Sequence, residues 1–220
     1  MKILITGSSK GIGLNVSKFF LNKGFEVYGI DLLPSSIENT HYHHFISDIS
    51  HKDSLPAIEG LDYIFNNAGL QNCEDDISNN LKGTINVTEK YGFQDNIKSI
   101  LFNASASTST GDEFPEYVAS KAGIVGYMKN AAIRLAKYGA TANSLSLGGV
   151  ITESNKPVME SKENWRKIME VTPLKKWMSE EEVCEWVYFL LVINKSASGI
   201  DVLVDNGEAN LNSTFIWPNK

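Results

Sequence analysis

Short apolar runs alternate along the chain with longer segments in which apolar residues return every three or four positions. The short runs, rich in Ile, Val and Phe, fall near Lys2–Thr6, Phe25–Asp31, His43–Ser47, Tyr63–Asn66, Ser99–Ala104, Ala140–Ser146 and Asp201–Val204. The segments of helical period lie near Ile12–Asn22, Ser78–Tyr91, Pro115–Lys137, Lys162–Val171 and Glu180–Val192. Strand and helix signals in alternation predict an α/β chain built on a doubly wound parallel sheet. Residues 151–178 form the one long excursion, between a late strand and the last long helix, and are a candidate substrate lid.

Composition narrows this picture. A chain of 220 residues buries a sizeable core, and no stretch rich in Pro, Gly or Ser divides it, so residues 1–220 are expected to be one domain with one site. The formal net charge of −6 is spread over interspersed signs, with no basic stripe, so neither nucleic acid nor membrane is an expected partner. Cys73 and Cys184 match neither a zinc-ligand spacing nor a redox pair, which suits a reducing compartment. The first apolar run, Ile3-Leu4-Ile5, is too short for a signal peptide or a membrane span, and a cytoplasmic protein is expected. His41, His43, His44 and His51 lack an accompanying carboxylate or thiol spacing, and no metal site is expected. The run Glu180-Glu181-Glu182 reads as the first turn of a helix capped by Ser179.

Chemistry enters where the first strand ends, at Thr6-Gly7-Ser8-Ser9-Lys10-Gly11-Ile12-Gly13. A strand, a glycine turn and a helix start aim backbone N–H groups and the positive helix end at a pyrophosphate, which side chains there would block. Gly7, Ser9, Lys10, Gly11, Ile12 and Gly13 are therefore candidate dinucleotide-binding residues. Asp31 ends the second strand 18 positions after Gly13, where a carboxylate accepts hydrogen bonds from an adenosine ribose diol. The same carboxylate repels a 2′-phosphate, so NAD is the expected cofactor; Lys10 supplies positive charge and keeps NADP as the alternative.

Further along stand Asp48-Ile49 after the third strand, Asn66-Asn67-Ala68-Gly69 after the fourth, Asn80-Leu81-Lys82-Gly83-Thr84 on a helix and Tyr117-x-x-x-Lys121 on another. Together with the Thr-Gly-x-x-x-Gly-x-Gly turn, these residues resemble the single-domain branch of the short-chain dehydrogenases/reductases, from Thr6 to about Asp205-Asn206-Gly207. The resemblance implies a Rossmann-type fold, with Asp48 and Ile49 at the adenine and Asn67, Ala68 and Gly69 beside the cofactor. It implies that Ser105 hydrogen-bonds the reacting oxygen, with Ser107 as the alternative, and that Asn80 holds a water in a proton relay. It also implies that Gly148 lies along the nicotinamide, where Leu147 replaces the family's proline, and that Val150 and Thr152 hold the carboxamide. Only ten residues separate Gly69 from Asn80, roughly half the number the resemblance implies, so a turn or short helix near the substrate is missing.

Tyr117 and Lys121 also stand without the resemblance. Residues four apart on a helix share one face. A phenol titrates near ~10 and is a poor base at neutral pH, but an adjacent ammonium stabilises the phenolate. The expected activity is hydride transfer between a nicotinamide and a secondary alcohol or ketone, on a small or medium hydrophobic compound. Tyr117 is the expected general acid/base, Lys121 holds the cofactor ribose, and Ser105 polarises the oxygen. The alternative is an NAD(H)-binding regulatory or structural protein with little turnover. Ser107-Thr108-Ser109-Thr110 is expected to be a polar loop, and Met159, Trp165, Ile168 and Met169 either an apolar flap over substrate or ordinary packing. Apolar positions in excess of one stripe on Ser78–Tyr91 and Pro115–Lys137 predict a homodimer or homotetramer.

Overall fold

Seven strands carry the apolar runs: β1 Lys2–Thr6, β2 Glu26–Asp31, β3 Tyr42–Ile46, β4 Tyr63–Asn66, β5 Ser99–Ser105, β6 Thr141–Leu147 and β7 Asp201–Val204. In this computed structural model, which describes residues 1–211, they form one parallel sheet in the order β3-β2-β1-β4-β5-β6-β7. Residues 212–220, the end of the expected domain, lie outside the described residues. The strand order reverses between β1 and β4, and at such a switch point the connections leave on opposite faces and open a crevice at the carboxyl ends of the strands.

Among the described residues, seven α-helices connect or follow the strands: α1 Gly11–Asn22, α2 Gly83–Tyr91, α3 Ser107–Thr110, α4 Pro115–Leu135, α5 Lys156–Glu160, α6 Lys162–Val171 and α7 Glu180–Tyr188. Successive residues of β1 serve opposite faces, as the twofold strand period requires. Ile3 and Ile5 join Val16 and Phe20 of α1 and Val183 and Val187 of α7, whereas Leu4 joins Val87 of α2 and Ile124 and Met128 of α4. Phe20 meets Phe25 edge-on at 4.9 Å in the first of these layers. Each such side chain, fully buried, contributes about 1.5–3 kcal/mol, so the sheet is held from both sides while its carboxyl edge stays open.

Several boundaries differ from the sequence expectation. The helix expected at Ser78–Tyr91 begins as a π-helical turn, Ile77–Lys82, and that expected at Glu180–Val192 ends in another, Phe189–Ile193. The segment Ser107–Thr110 is one helical turn instead of a polar loop, because the Thr108 hydroxyl donates to the Ser105 carbonyl at 2.9 Å and Gly111, at φ 68°, ends the turn. Ser179 does cap α7: its hydroxyl accepts from the Glu182 N–H while the Glu182 carboxylate accepts from the Ser179 N–H. In the excursion, Met159, Trp165, Ile168 and Met169 are all half-buried, and Trp165 stands edge-on against Trp177 at 5.1 Å.

Candidate active site

A cleft of about 880 Å³ runs across the carboxyl ends of the strands. At one end lies the glycine turn. A Cβ on Gly13 would overlap the Gly7 carbonyl oxygen, and one on Gly7, whose φ is +68°, would come 2.9 Å from Ala68 Cα. The turn is thus pressed against the β4 end with no room for side chains. Over Gly11, by contrast, a Cβ would meet nothing among the described residues, which leave the space in front of the α1 N-terminus open. No side chain caps that end and no acidic residue stands in its first turn, which leaves its N–H groups and positive potential to a ligand. A dinucleotide pyrophosphate fits this cradle.

Asp31 lines the cleft beside the turn; its carboxylate accepts from the Ser9 N–H and the Leu33 N–H, both at 2.9 Å. The loop after β2 is pinned in turn by His44, which bonds the Leu33 carbonyl at 2.8 Å and the Tyr42 hydroxyl at 3.2 Å. His43 pairs with Glu26 and His51 with Asp48, and among the described residues no group of three or more His, Cys, Asp or Glu is placed to hold a metal. Asp48 lines the cleft with Ile49, and hydrogen bonds from Ser50 hold its carboxyl below the usual range despite some burial.

The centre is an amide network. The Thr6 hydroxyl accepts from the Asn67 and Ala68 N–H groups at 3.0 Å each, the Asn67 side chain donates to the Thr6 carbonyl at 3.1 Å, and Asn103 donates to Asn67 at 3.0 Å. The Asn103 carbonyl accepts from Lys121 Nζ at 2.9 Å. The β1, β4 and β5 ends are therefore locked together and tied to α4.

On α4, Tyr117 and Lys121 line the cleft from one face, with Nζ 5.6 Å from the phenol ring centroid. Burial raises Tyr117 to about 12; the Glu113 carboxylate adds to this, and the Ser105 hydroxyl works against it. Burial also depresses Lys121, to about 8, although the carboxylates of Glu113 and Asp76 oppose the loss of its proton. Burial thus holds the phenol above its ordinary value in the cleft as it stands, where the sequence reading expects the adjacent ammonium to lower it. Ser105, at the end of β5, accepts the Ser107 N–H at 3.1 Å, so its own proton is free to donate. Ser107 also lines the cleft; its buried hydroxyl has no partner among the described residues.

Asn80 sits in the π-helical turn, fully buried. Its amide accepts from the Leu70 N–H at 2.7 Å and donates to the Leu70 carbonyl at 2.8 Å and to Ser120 at 3.1 Å. This pairing closes the short Gly69–Asn80 segment directly, and buried Asp76, accepting from the Asn72 and Cys73 N–H groups at 3.0 and 3.2 Å, organises its interior. Gly69 separates Asn80 from the cleft: a Cβ there would stand 3.1 Å from Asn80 Oδ1 and 3.3 Å from Lys121 Nζ.

Gly148, Val150 and Thr152 line the opposite wall. Val150 is held by a parallel bridge to Met178, and Trp177 packs so tightly on Gly149 that a Cβ there would overlap the indole. Of the expected site residues, Ser9, Gly13 and Asn80 do not line the cleft; they support those that do. None of Met159, Trp165, Ile168 and Met169 reaches it either, and from the excursion Thr152, Ser154, Asn155, Val171 and Trp177 do. Sequence reasoning missed Gln71, Asp112, Glu113 and Glu208, which line the cleft along with Tyr117. No motif marks them, and only the proximity of Glu113 to Tyr117 in the chain could have drawn attention to one.

The family model described as short chain dehydrogenase matches residues 1–163. A 3-oxoacyl-(acyl-carrier-protein) reductase of Buchnera aphidicola is 26% identical over 230 residues, covering 89% of this chain and 91% of the relative. Among solved structures, 4-hydroxyisoleucine dehydrogenase complexed with NADH superposes with a TM-score of 0.85 at 22% identity, over 96% of this chain and 99% of the other. A 2-deoxy-D-gluconate 3-dehydrogenase from Agrobacterium tumefaciens, a functional name that its own description qualifies and whose structure holds bound NADP, gives 0.83 at 21% identity, over 94% and 95%. No helix among the described residues is long and apolar enough to cross a membrane.

Proposed function

The chain belongs to the short-chain dehydrogenase family, and from that premise we propose that it is a nicotinamide-dependent oxidoreductase interconverting a secondary alcohol and a ketone. One observation carries the reading: Ser105, Tyr117 and Lys121 meet in the same cleft as the glycine turn and Asp31. When bound, the nicotinamide supplies or receives the hydride. Tyr117 gives or takes the proton at the substrate oxygen, and Ser105, its amide-facing lone pair already engaged, donates to that oxygen. Lys121, anchored on the Asn103 carbonyl, holds the cofactor ribose and places positive charge beside the phenol. Asn80 serves as a positioning residue; with its amide committed to Leu70, any water it held would fall to its main chain.

The preferred cofactor in this proposal is NAD, because the Asp31 carboxylate, fixed by two backbone N–H groups, faces the cleft where a 2′-phosphate would stand. Gly148, Val150 and Thr152 form the nicotinamide wall, and residues 151–178 cover the substrate side. The free thiols Cys73 and Cys184 suit the cytoplasm. Exposed Ile133 on α4, with Trp186 and Phe189 after it in the chain, supports a homodimer or homotetramer, which light scattering at micromolar concentration checks.

Fluorescence titration with NADH and NADPH tests the cofactor site. NADH should bind more tightly, and Asp31→Ala should weaken NADH by roughly 10–100-fold, the worth of hydrogen bonds to a charged group, while narrowing the preference. Failure of both nucleotides to bind would remove the oxidoreductase reading; tight binding with no turnover on any carbonyl compound would favour a regulatory role.

A further inference from the structure

His44 does not line the cleft, yet its ring is tied to a carboxylate that does. It stands on β3, the edge strand, opposite Gly29 of β2. Its Nε2 lies 2.8 Å from the Leu33 carbonyl, and because a carbonyl only accepts, Nε2 carries a hydrogen. The Leu33 N–H donates in turn to Asp31 Oδ1 at 2.9 Å. The imidazole therefore holds in place the residue that supplies one of the two N–H groups on Asp31.

The far side of the ring is fixed as well. Nδ1 lies 3.2 Å from the Tyr42 hydroxyl, which donates to Ser8 Oγ in the glycine turn at 3.0 Å. That reach crosses the middle of β2, where a Cβ on Gly29 would fall 2.1 Å from the Tyr42 hydroxyl oxygen and 2.5 Å from Ser8 Oγ. A glycine inside a strand weakens it and marks a close approach, and here the approach is this contact. On the near side the Ser9 N–H donates to Asp31 Oδ2 at 2.9 Å and the Ser9 hydroxyl to the Leu33 carbonyl at 3.0 Å. Ser8-Ser9, Asp31, Leu33, His44 and Tyr42 thus form a closed circuit that joins the glycine turn to the loop after β2.

We propose, resting on the NAD preference proposed above, that His44 is a positioning residue for cofactor choice. By holding the Leu33 carbonyl it keeps the Asp31 carboxylate turned toward the adenosine ribose. A carboxylate kept there accepts from a ribose diol and repels a 2′-phosphate; one free to turn away does neither well. Ser9 is itself bonded to Asp31, so His44 is what ties this arrangement to the sheet.

The test titrates NADH and NADPH against wild type and His44 variants, with binding read from nicotinamide fluorescence. His44→Leu removes the donor and should lower the preference for NADH over NADPH about 2–10-fold, the worth of one hydrogen bond. His44→Gln carries an amide N–H to the same carbonyl and should restore most of it. His44→Asn, too short to reach Leu33, should behave as His44→Leu does and keeps the test open if the apolar variant does not fold. Because His44 acts through Asp31, adding His44→Leu to Asp31→Ala should leave the preference where Asp31→Ala alone puts it. Without nucleotide, hydrogen exchange at the Leu33 amide should quicken in His44→Leu and His44→Asn but not in His44→Gln. An unchanged preference in those two variants, or an equal loss of affinity for both nucleotides that His44→Gln does not repair, overturns the proposal and leaves the cofactor reading standing. A wild type that binds NADPH as tightly as NADH overturns the NAD reading itself, and this one with it.

Discussion

The two ends of the cleft are built by different means. At the nucleotide end, backbone does the work: the Gly7–Gly13 turn, the open helix start of α1 and the locked Thr6–Asn67 contact leave almost no freedom of residue type. At the substrate end, side chains on turns do it: Gln71, Glu113, Ser107 and Glu208 come from four separate segments, and nothing in the main-chain path requires them. A backbone constraint repeats wherever the same turn is needed and so becomes a motif. A side-chain wall is free to change with its ligand.

Removing the proposed proton donor tests this contrast most severely. Tyr117→Phe should lower turnover about a thousandfold, within the ~10²–10⁴ range of a positioned acid or base, while nucleotide affinity measured by fluorescence stays within a factor of about three of wild type. A parallel loss of affinity would mean that the two ends are not separable.

The next largest effect belongs to the nucleotide end. In Gly13→Val a branched side chain must enter the space held by the Gly7 carbonyl and the Asn67 amide. Nucleotide affinity should fall roughly a hundredfold, and thermal unfolding should show a loss of about 1–3 kcal/mol, as for other overpacked sites. Retained affinity would show that the turn has slack that the geometry denies.

The smallest effect has the opposite sign. Burying the Lys121 ammonium costs stability, and its folded-state value of about 8 lies below the ordinary 10.5. Between those values the unfolded chain keeps a proton that the folded chain has released, so stability from this group rises with pH across that window and carries its full penalty below about pH 8. Lys121→Met should therefore stabilise the protein at pH 7 by about 1–3 kcal/mol, a range seen when buried charge is replaced by apolar volume. It should also flatten the rise in melting temperature toward pH 10 and abolish turnover. A variant less stable at pH 7 would mean that the bond to the Asn103 carbonyl outweighs desolvation.

The same contrast explains what could be read in advance. The strands, the glycine turn, Asp31 and the Tyr117–Lys121 pair follow from periodicity and spacing, because sheet burial and helix geometry impose those patterns. The π-helical turn at Asn80 was not legible, since it depends on a side-chain amide standing in for backbone partners of Leu70 across ten residues. Nor was α3, where the Thr108 hydroxyl closes a turn that composition alone reads as loop. The upward shift of Tyr117 escaped as well, because spacing shows the neighbouring charge but not how dry the cleft is.

Gln71, Glu113 and Glu208 sit on turns, away from the two packed layers, and their replacement leaves the hydrophobic core untouched. Substitutions at such places usually change folding free energy by no more than about 0.5 kcal/mol. Mutational tolerance and a place on the cleft wall thus coincide at three codons, so a library randomised there should vary the wall of the cleft with little loss of folded protein.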